Sequence, residues 1–157
     1  MKTIVTMLFG LLAGVILTAA IGWNYAPELM LVEHESPYSV EKTVEMIKGN
    51  AINEDWVVPG VSAIHKSIMK HGGGELPPVM LVNICQPGYA YDILKEDDNK
   101  IVSVFMPCTI SVYEKSDGKA YIGTMNAALL GKLFGGSVAE IMGEKVAADQ
   151  RKFITFN

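Results

Sequence analysis

The stretch KIVSVFMPCTISVYEKSDGKAYIGTMN, residues 100–126, decides the fold. Its alternating, β-branched first half predicts a long strand over 100–114. Lys115-Ser116-Asp117-Gly118 is a strong turn signal, and 119–126 reads as the returning arm of a hairpin. A period of two places Val102, Val104, Met106, Cys108, Ile110 and Val112 on one face, toward the core. Pro107 is unexpected there, because proline cannot donate to a sheet ladder. It is read as a bulge or an edge position that re-aims Cys108.

Working outward, PPVMLVNICQP (77–87) is a continuous apolar strand bounded by prolines. WVVPGVSAI (56–64) is a strand interrupted by Pro59-Gly60. Ser39 caps a helix whose apolar stripe is Val40, Val44 and Ile47. Short helices are expected over 65–74, 88–98 and, after Asn126, over AALLGKLF. Ser137-x-x-Glu140 forms a capping box opening a terminal helix, with Val138, Met142, Val146 and Phe153 on one side. Runs of strands flanked by helices argue α+β with an antiparallel sheet, one face covered by helices, and not a parallel doubly wound sheet.

Residues 3–23 carry no charge. A run of about 20 apolar residues matches the thickness of a bilayer. One N-terminal transmembrane helix over 1–23 is therefore expected, a juxtamembrane linker over 24–35, and a single domain over 36–157. Lys2 before the run and Glu28, Glu33 and Glu35 after it predict an N-in, single-pass protein of the cytoplasmic membrane with its domain on the periplasmic side. The rival reading is a cleaved signal peptide ending near Thr18-Ala19-Ala20. Gly10, Gly14, Thr18 and Gly22 recur every four residues, a stripe suited to close helix packing. The membrane and either a second copy or a membrane-complex subunit are the expected partners.

Lys2 is the only charged residue among the first 23, which leaves 12 basic against 17 acidic residues beyond it. No Lys/Arg cluster appears, so nucleic acid is not an expected partner. There is no C-x-x-C, C-x-x-C-H, H-E-x-x-H, P-loop or G-x-S-x-G motif. HGGG (71–74) lacks the nucleophile elbow that an oxyanion loop would accompany.

Chemistry is left to the two cysteines. If strands 79–86 and 101–112 pair antiparallel, Cys85 and Cys108 lie near each other. Three readings stand: a structural disulfide, two buried reduced thiols, or a soft-ligand site. In the last, Cys85 and Cys108 are the metal candidates, and Met106, Met125 and His65 supply thioether and imidazole. Such donors suit copper or a haem iron better than a hard cation.

NICQPGYAYDIL followed by VFMPCTISVYEKSDGKAYIGTMN resembles the family known as domain of unknown function 302. Cys85-Gln86-Pro87 is similar to its Cys-Asn-Pro turn, with Gln for Asn. Met106-Pro107-Cys108 matches its Leu-Pro-Cys element, and Asp117-Gly118-Lys119 its turn. SVEKTVEMI and AIHKSIMKHGGGELPP resemble its opening helix and its middle segment, with His65 on a frequent histidine. Tyr91 stands where some members have histidine. The resemblance covers about residues 36–156. It implies a two-layer β-α-β4-α fold similar to TATA-binding-protein-like domains, a dimeric habit, and no settled activity.

The leading functional expectation is a membrane-anchored extracytoplasmic sensor, carrier or accessory module. It binds a small ligand, soft metal or haem near Cys85, Met106 and Cys108. A thiol-dependent redox enzyme using Cys85 or Cys108 is the alternative, but no base or cation adjoins either in sequence to activate it. A structural subunit of a membrane complex is the third reading.

Overall fold

The computed structural model describes residues 2–156. In chain order the elements are α1 (Lys2–Met30), β1 (Leu31–Glu35), α2 (Val40–Asn53), β2 (Val57–Ala63), α3 (Ile64–Lys70), β3 (Val79–Cys85) and α4 (Pro87–Leu94). A 3-10 segment (Asp97–Phe105), β4 (Cys108–Glu114), β5 (Ala120–Met125) and α5 (Ala127–Phe134) follow. The chain ends with α6 (Gly136–Glu140), a π-helical turn (Ile141–Val146) and α7 (Ala147–Phe153). The five strands form one sheet in the order β1-β5-β4-β3-β2, every neighbour antiparallel. The fold is α+β, as the sequence predicts.

The hairpin is the centre of that sheet. Tyr113 pairs with Tyr121 and Ser111 with Gly123. The turn closes through Gly118 N–H to Lys115 O (2.9 Å), and Gly118 takes φ +76°, a conformation open to glycine at little cost. Leu31–Glu35, inside the stretch expected to be a linker, adds the edge strand β1 along β5.

The first hairpin arm is shorter than predicted. Residues 97–105 are 3-10 helix, not strand, and three residues per turn separate Val102 from Val104. Val102 is 1% exposed and Val104 74%. The segment is tied down by Asn99, whose Nδ2 donates to Glu96 Oε2 (2.9 Å) and to Ser137 Oγ (3.0 Å). Pro107 follows a cis peptide bond and precedes the first residue of β4, so its missing N–H costs no ladder bond. The Ser137 capping box does not form. α6 begins at Gly136, after Gly135 and Gly136 both take positive φ, and Ser137 instead accepts from Asn99.

The expected N-terminal transmembrane helix is also corrected. The segment is helical, but no helix among the described residues is long and apolar enough to cross a membrane. Glycine, alanine and threonine dilute its apolar content at 10, 13, 14, 18, 19, 20 and 22, and α1 runs on through Asn24 and Glu28. It joins the domain through Asn126, whose backbone N–H donates to Met30 O and whose Nδ2 donates to Leu29 O, both at 2.8 Å.

One face of the sheet carries the core. Val82 and Ile84 of β3, Ile110 and Val112 of β4 and Ile122 of β5 are buried against Val40, Val44 and Ile47 of α2 and against the C-terminal helices. Ser39 caps α2 by accepting from Lys42 N–H at 3.3 Å, as its position predicts. Thr43 is buried within that helix, and its hydroxyl is satisfied by Ser36 at 2.5 Å. Asn50 of α2 donates to the carbonyls of Phe153 (3.1 Å) and Thr155 (3.4 Å), so the end of α7 has partners for its otherwise orphaned acceptors. α5 meets the π-helical turn at a glycine–glycine contact. A Cβ on Gly131 would lie 2.3 Å from Gly143 N.

Candidate functional site

β3 and β4 end together, and their ends build the site. Register pairs Ile84 with Cys108, so Cys108 points with Ile84 and Ile110 toward the core. Cys85 is one residue farther on, where β3 stops and Gln86 caps α4 by accepting from Tyr89 N–H at 2.8 Å. Both cysteines are free and half-buried. Both line a cavity of about 30 Å³ with Met106, closed by Phe105, Trp56, Tyr89 and, from the π-helical turn, Met142 and Val146. That is room for about one water or one metal ion, and far too little for a haem.

The lining is almost wholly apolar, and this sets the thiol chemistry. Burial pushes the Cys108 thiol up to about 11, with the neighbouring Cys85 adding to it. Behind the lining, Asp149 of α7 accepts from Trp56 Nε1 at 3.2 Å and from Tyr89 O–H at 3.4 Å. It also pairs with Lys152 at 3.1 Å. Trp56 stands edge-on to Phe153 (5.2 Å) and to Tyr89 (6.0 Å). The aromatic wall is therefore locked by one carboxylate on the far side from the thiols. Burial, then Asp149, raises the Tyr89 hydroxyl above its ordinary value, so it is a neutral donor at physiological pH.

Three of the sequence-predicted residues, Cys85, Met106 and Cys108, thus share one cavity, and two do not. His65 lies at the other end of β3, where Val79 N–H donates to its Nδ1 at 3.1 Å. At about 3.3 Å per strand residue it is roughly 20 Å from Cys85. Met125, at the end of β5, lines an apolar groove with Trp23, Met30 and Phe105 beside α1. Gly10, Gly14 and Gly22 of α1 face outward, with no atom within 4 Å of a Cβ built on them. Among the described residues no group of three or more His, Cys, Asp or Glu could hold a metal, so the thiol–thioether set is the ligand set available. Trp56, Tyr89 and Asp149 carry no sequence motif. Trp56 and Tyr89 stand at the start of a predicted strand and helix, and Asp149 lies within the predicted terminal helix.

The likeness to known proteins follows this geometry. A family model described as domain of unknown function DUF302 matches residues 32–155. A solved structure of an uncharacterized conserved DUF302 protein from Bacillus stearothermophilus superposes with a TM-score of 0.69. It covers 80% of this chain and 95% of that one at 17% identity, which speaks for the fold alone. No curated protein matches the sequence. The family match spans β1 to the residues just after α7, including both cysteines and the hairpin, and the chain belongs to the DUF302 family.

Proposed function

We propose that the protein is a small binding module that takes a soft monovalent cation, with Cu(I) as the best fit, between Cys85, Cys108 and Met106. One observation carries this reading: two free cysteines and a methionine line a single ion-sized apolar cavity. Thiolate and thioether sulfur favour Cu(I), and low coordination numbers suit a buried, dry site. Binding replaces the thiol protons, so uptake releases protons and weakens as pH falls.

The raised Cys108 thiol argues against Cys108 as a nucleophile. A nucleophilic cysteine needs a lowered pKa, supplied by a nearby cation, base or helix N-terminus. At Cys108 desolvation acts in the opposite direction, and the neighbouring Cys85 adds to it. A sensor or carrier role outside the cytoplasm belongs to the same proposal. The charge-free N-terminal segment supports it as an export signal, not as a membrane span.

The test is anaerobic competition for Cu(I) between the full chain and a colorimetric chelator. One equivalent should be retained by the protein. Cys85→Ser and Cys108→Ser should each weaken retention by about 100-fold or more, beyond the 10–100-fold usual for outer-shell changes. Equal retention by the double variant Cys85→Ser/Cys108→Ser would contradict the assignment.

A further inference from the structure

The terminal helix borders a second cavity, on the β1 side of the sheet and separate from the thiols. It is an open pocket of about 640 Å³ between the β1–β5 pair, the start of α5 and α7. Its walls are apolar where Val32, Ala128 and Ile154 contribute. Three of its polar side chains are already committed. Glu35 is held by Lys119 at 2.9 Å. Asn126 accepts from Leu129 N–H and donates to Leu29 O. Thr155 O–H donates to Arg151 O at 2.8 Å.

Gln150 and Arg151 are not committed. Gln150 lines the pocket and is only 6% exposed, yet its Nε2 has no hydrogen-bond partner. A buried amide N–H₂ without a partner is uncommon and costly, and it calls for a water, an ion or a ligand. Arg151, the only arginine in the chain, lines the same pocket and makes no salt bridge among the described residues.

We infer that this pocket binds a small organic carboxylate with an apolar body. The Arg151 guanidinium takes the carboxylate, the Gln150 amide donates a second hydrogen bond, and the Val32–Ala128–Ile154 walls cover the apolar part. A planar guanidinium fork matches a carboxylate in geometry and in charge. Gln150 and Arg151 occupy adjacent positions of α7, and both line this pocket.

The experiment is a titration of the ¹⁵N-labelled full chain with sodium benzoate and sodium hexanoate, with benzamide as the uncharged counterpart. The Arg151 Nε–H signal is unique, because there is no other arginine, and the Gln150 side-chain amide is the second probe. Both signals should shift saturably with at least one carboxylate, and the response to benzamide should be weaker by about tenfold or more. Gln150→Leu should abolish the shift at Arg151. Arg151→Gln, at an exposed position where folding is not at risk, should abolish the shift at Gln150. Shifts equal to those from sodium chloride at matched ionic strength would overturn the inference. So would saturation by benzamide as readily as by benzoate. A Gln150 amide that responds to neither carboxylate and contacts only a long-lived water would assign the site to that water, and would overturn it too.

Discussion

The helical run from Gly136 to Phe153 faces two cavities of opposite character. Its π-helical turn, through Met142 and Val146, closes the small apolar cavity at the thiols. Its last turns, through Gln150 and Arg151, back the large open pocket beside β1. Around the first cavity the polar groups are matched: Asp149 serves both Trp56 and Tyr89, and Gln86 caps α4. In the second, a nearly buried amide has no partner. The chemistry differs in the same way. A dry site raises the cost of charge and pushes the Cys108 thiol up. An open site with an unpaired guanidinium is ready for an anion. One helical run supports both, the first through its π-helical turn, and such turns often mark functional positions.

That contrast can be broken experimentally. Phe153 of α7 is fully buried and stands edge-on to Trp56 of the first cavity. Phe153→Ala should cost about 3–5 kcal/mol in denaturant unfolding and disturb both cavities together. Gly131→Ala forces a methyl into Gly143 backbone and should cost about 2–3 kcal/mol. Its chemical-shift changes should centre on the π-helical turn and reach Met142 before Gln150. Changes centred on α7 would show that the two halves of the run are not separable.

The next effect is a pH dependence belonging to the dry cavity. The Cys108 thiol is raised from about 9 to about 11 by folding, so the unfolded chain loses this proton first. Stability is then full below about pH 9 and falls as pH rises toward 11, by about 2–3 kcal/mol in total. Unfolding free energies of the wild type and Cys108→Ala, compared across that range, isolate this slope, which the variant should lack. The smallest effect sharpens the other half of the contrast. Gln150→Leu removes an unsatisfied buried amide and should raise stability by about 1 kcal/mol in the absence of ligand. A loss instead would mean that the amide is satisfied in solution.

How far these features were legible in the sequence follows from the kind of signal each leaves. The alternation of Ile110, Val112 and Ile122 about Asp117-Gly118 is a local pattern, and it identified the hairpin and the antiparallel sheet. Ser39 with Val40, Val44 and Ile47 did the same for α2. The same alternation misled over 100–105, because Val102 and Val104 fit a period of two while Asn99, bonded to Ser137 far along the chain, holds the segment in 3-10 turns. A charge-free N-terminal run read as a membrane span, and its content of glycine and alanine reduced it to a helix. Cys85, Met106 and Cys108 could be brought together on paper, since strand pairing relates them directly. His65 and Met125 shared only donor chemistry with that group, and strand position separates them from it. Asp149, Gln150 and Arg151 were unreadable as a site, because their meaning depends on what α7 packs against.

The central claim concerns what the two thiols and the thioether hold. X-ray absorption at the copper edge, on the full chain loaded anaerobically with one equivalent of Cu(I), tests it most directly. The expected first shell holds two or three sulfur atoms with no nitrogen or oxygen, and is lost in Cys108→Ser. A shell containing nitrogen or oxygen, or one unchanged by Cys108→Ser, would contradict it.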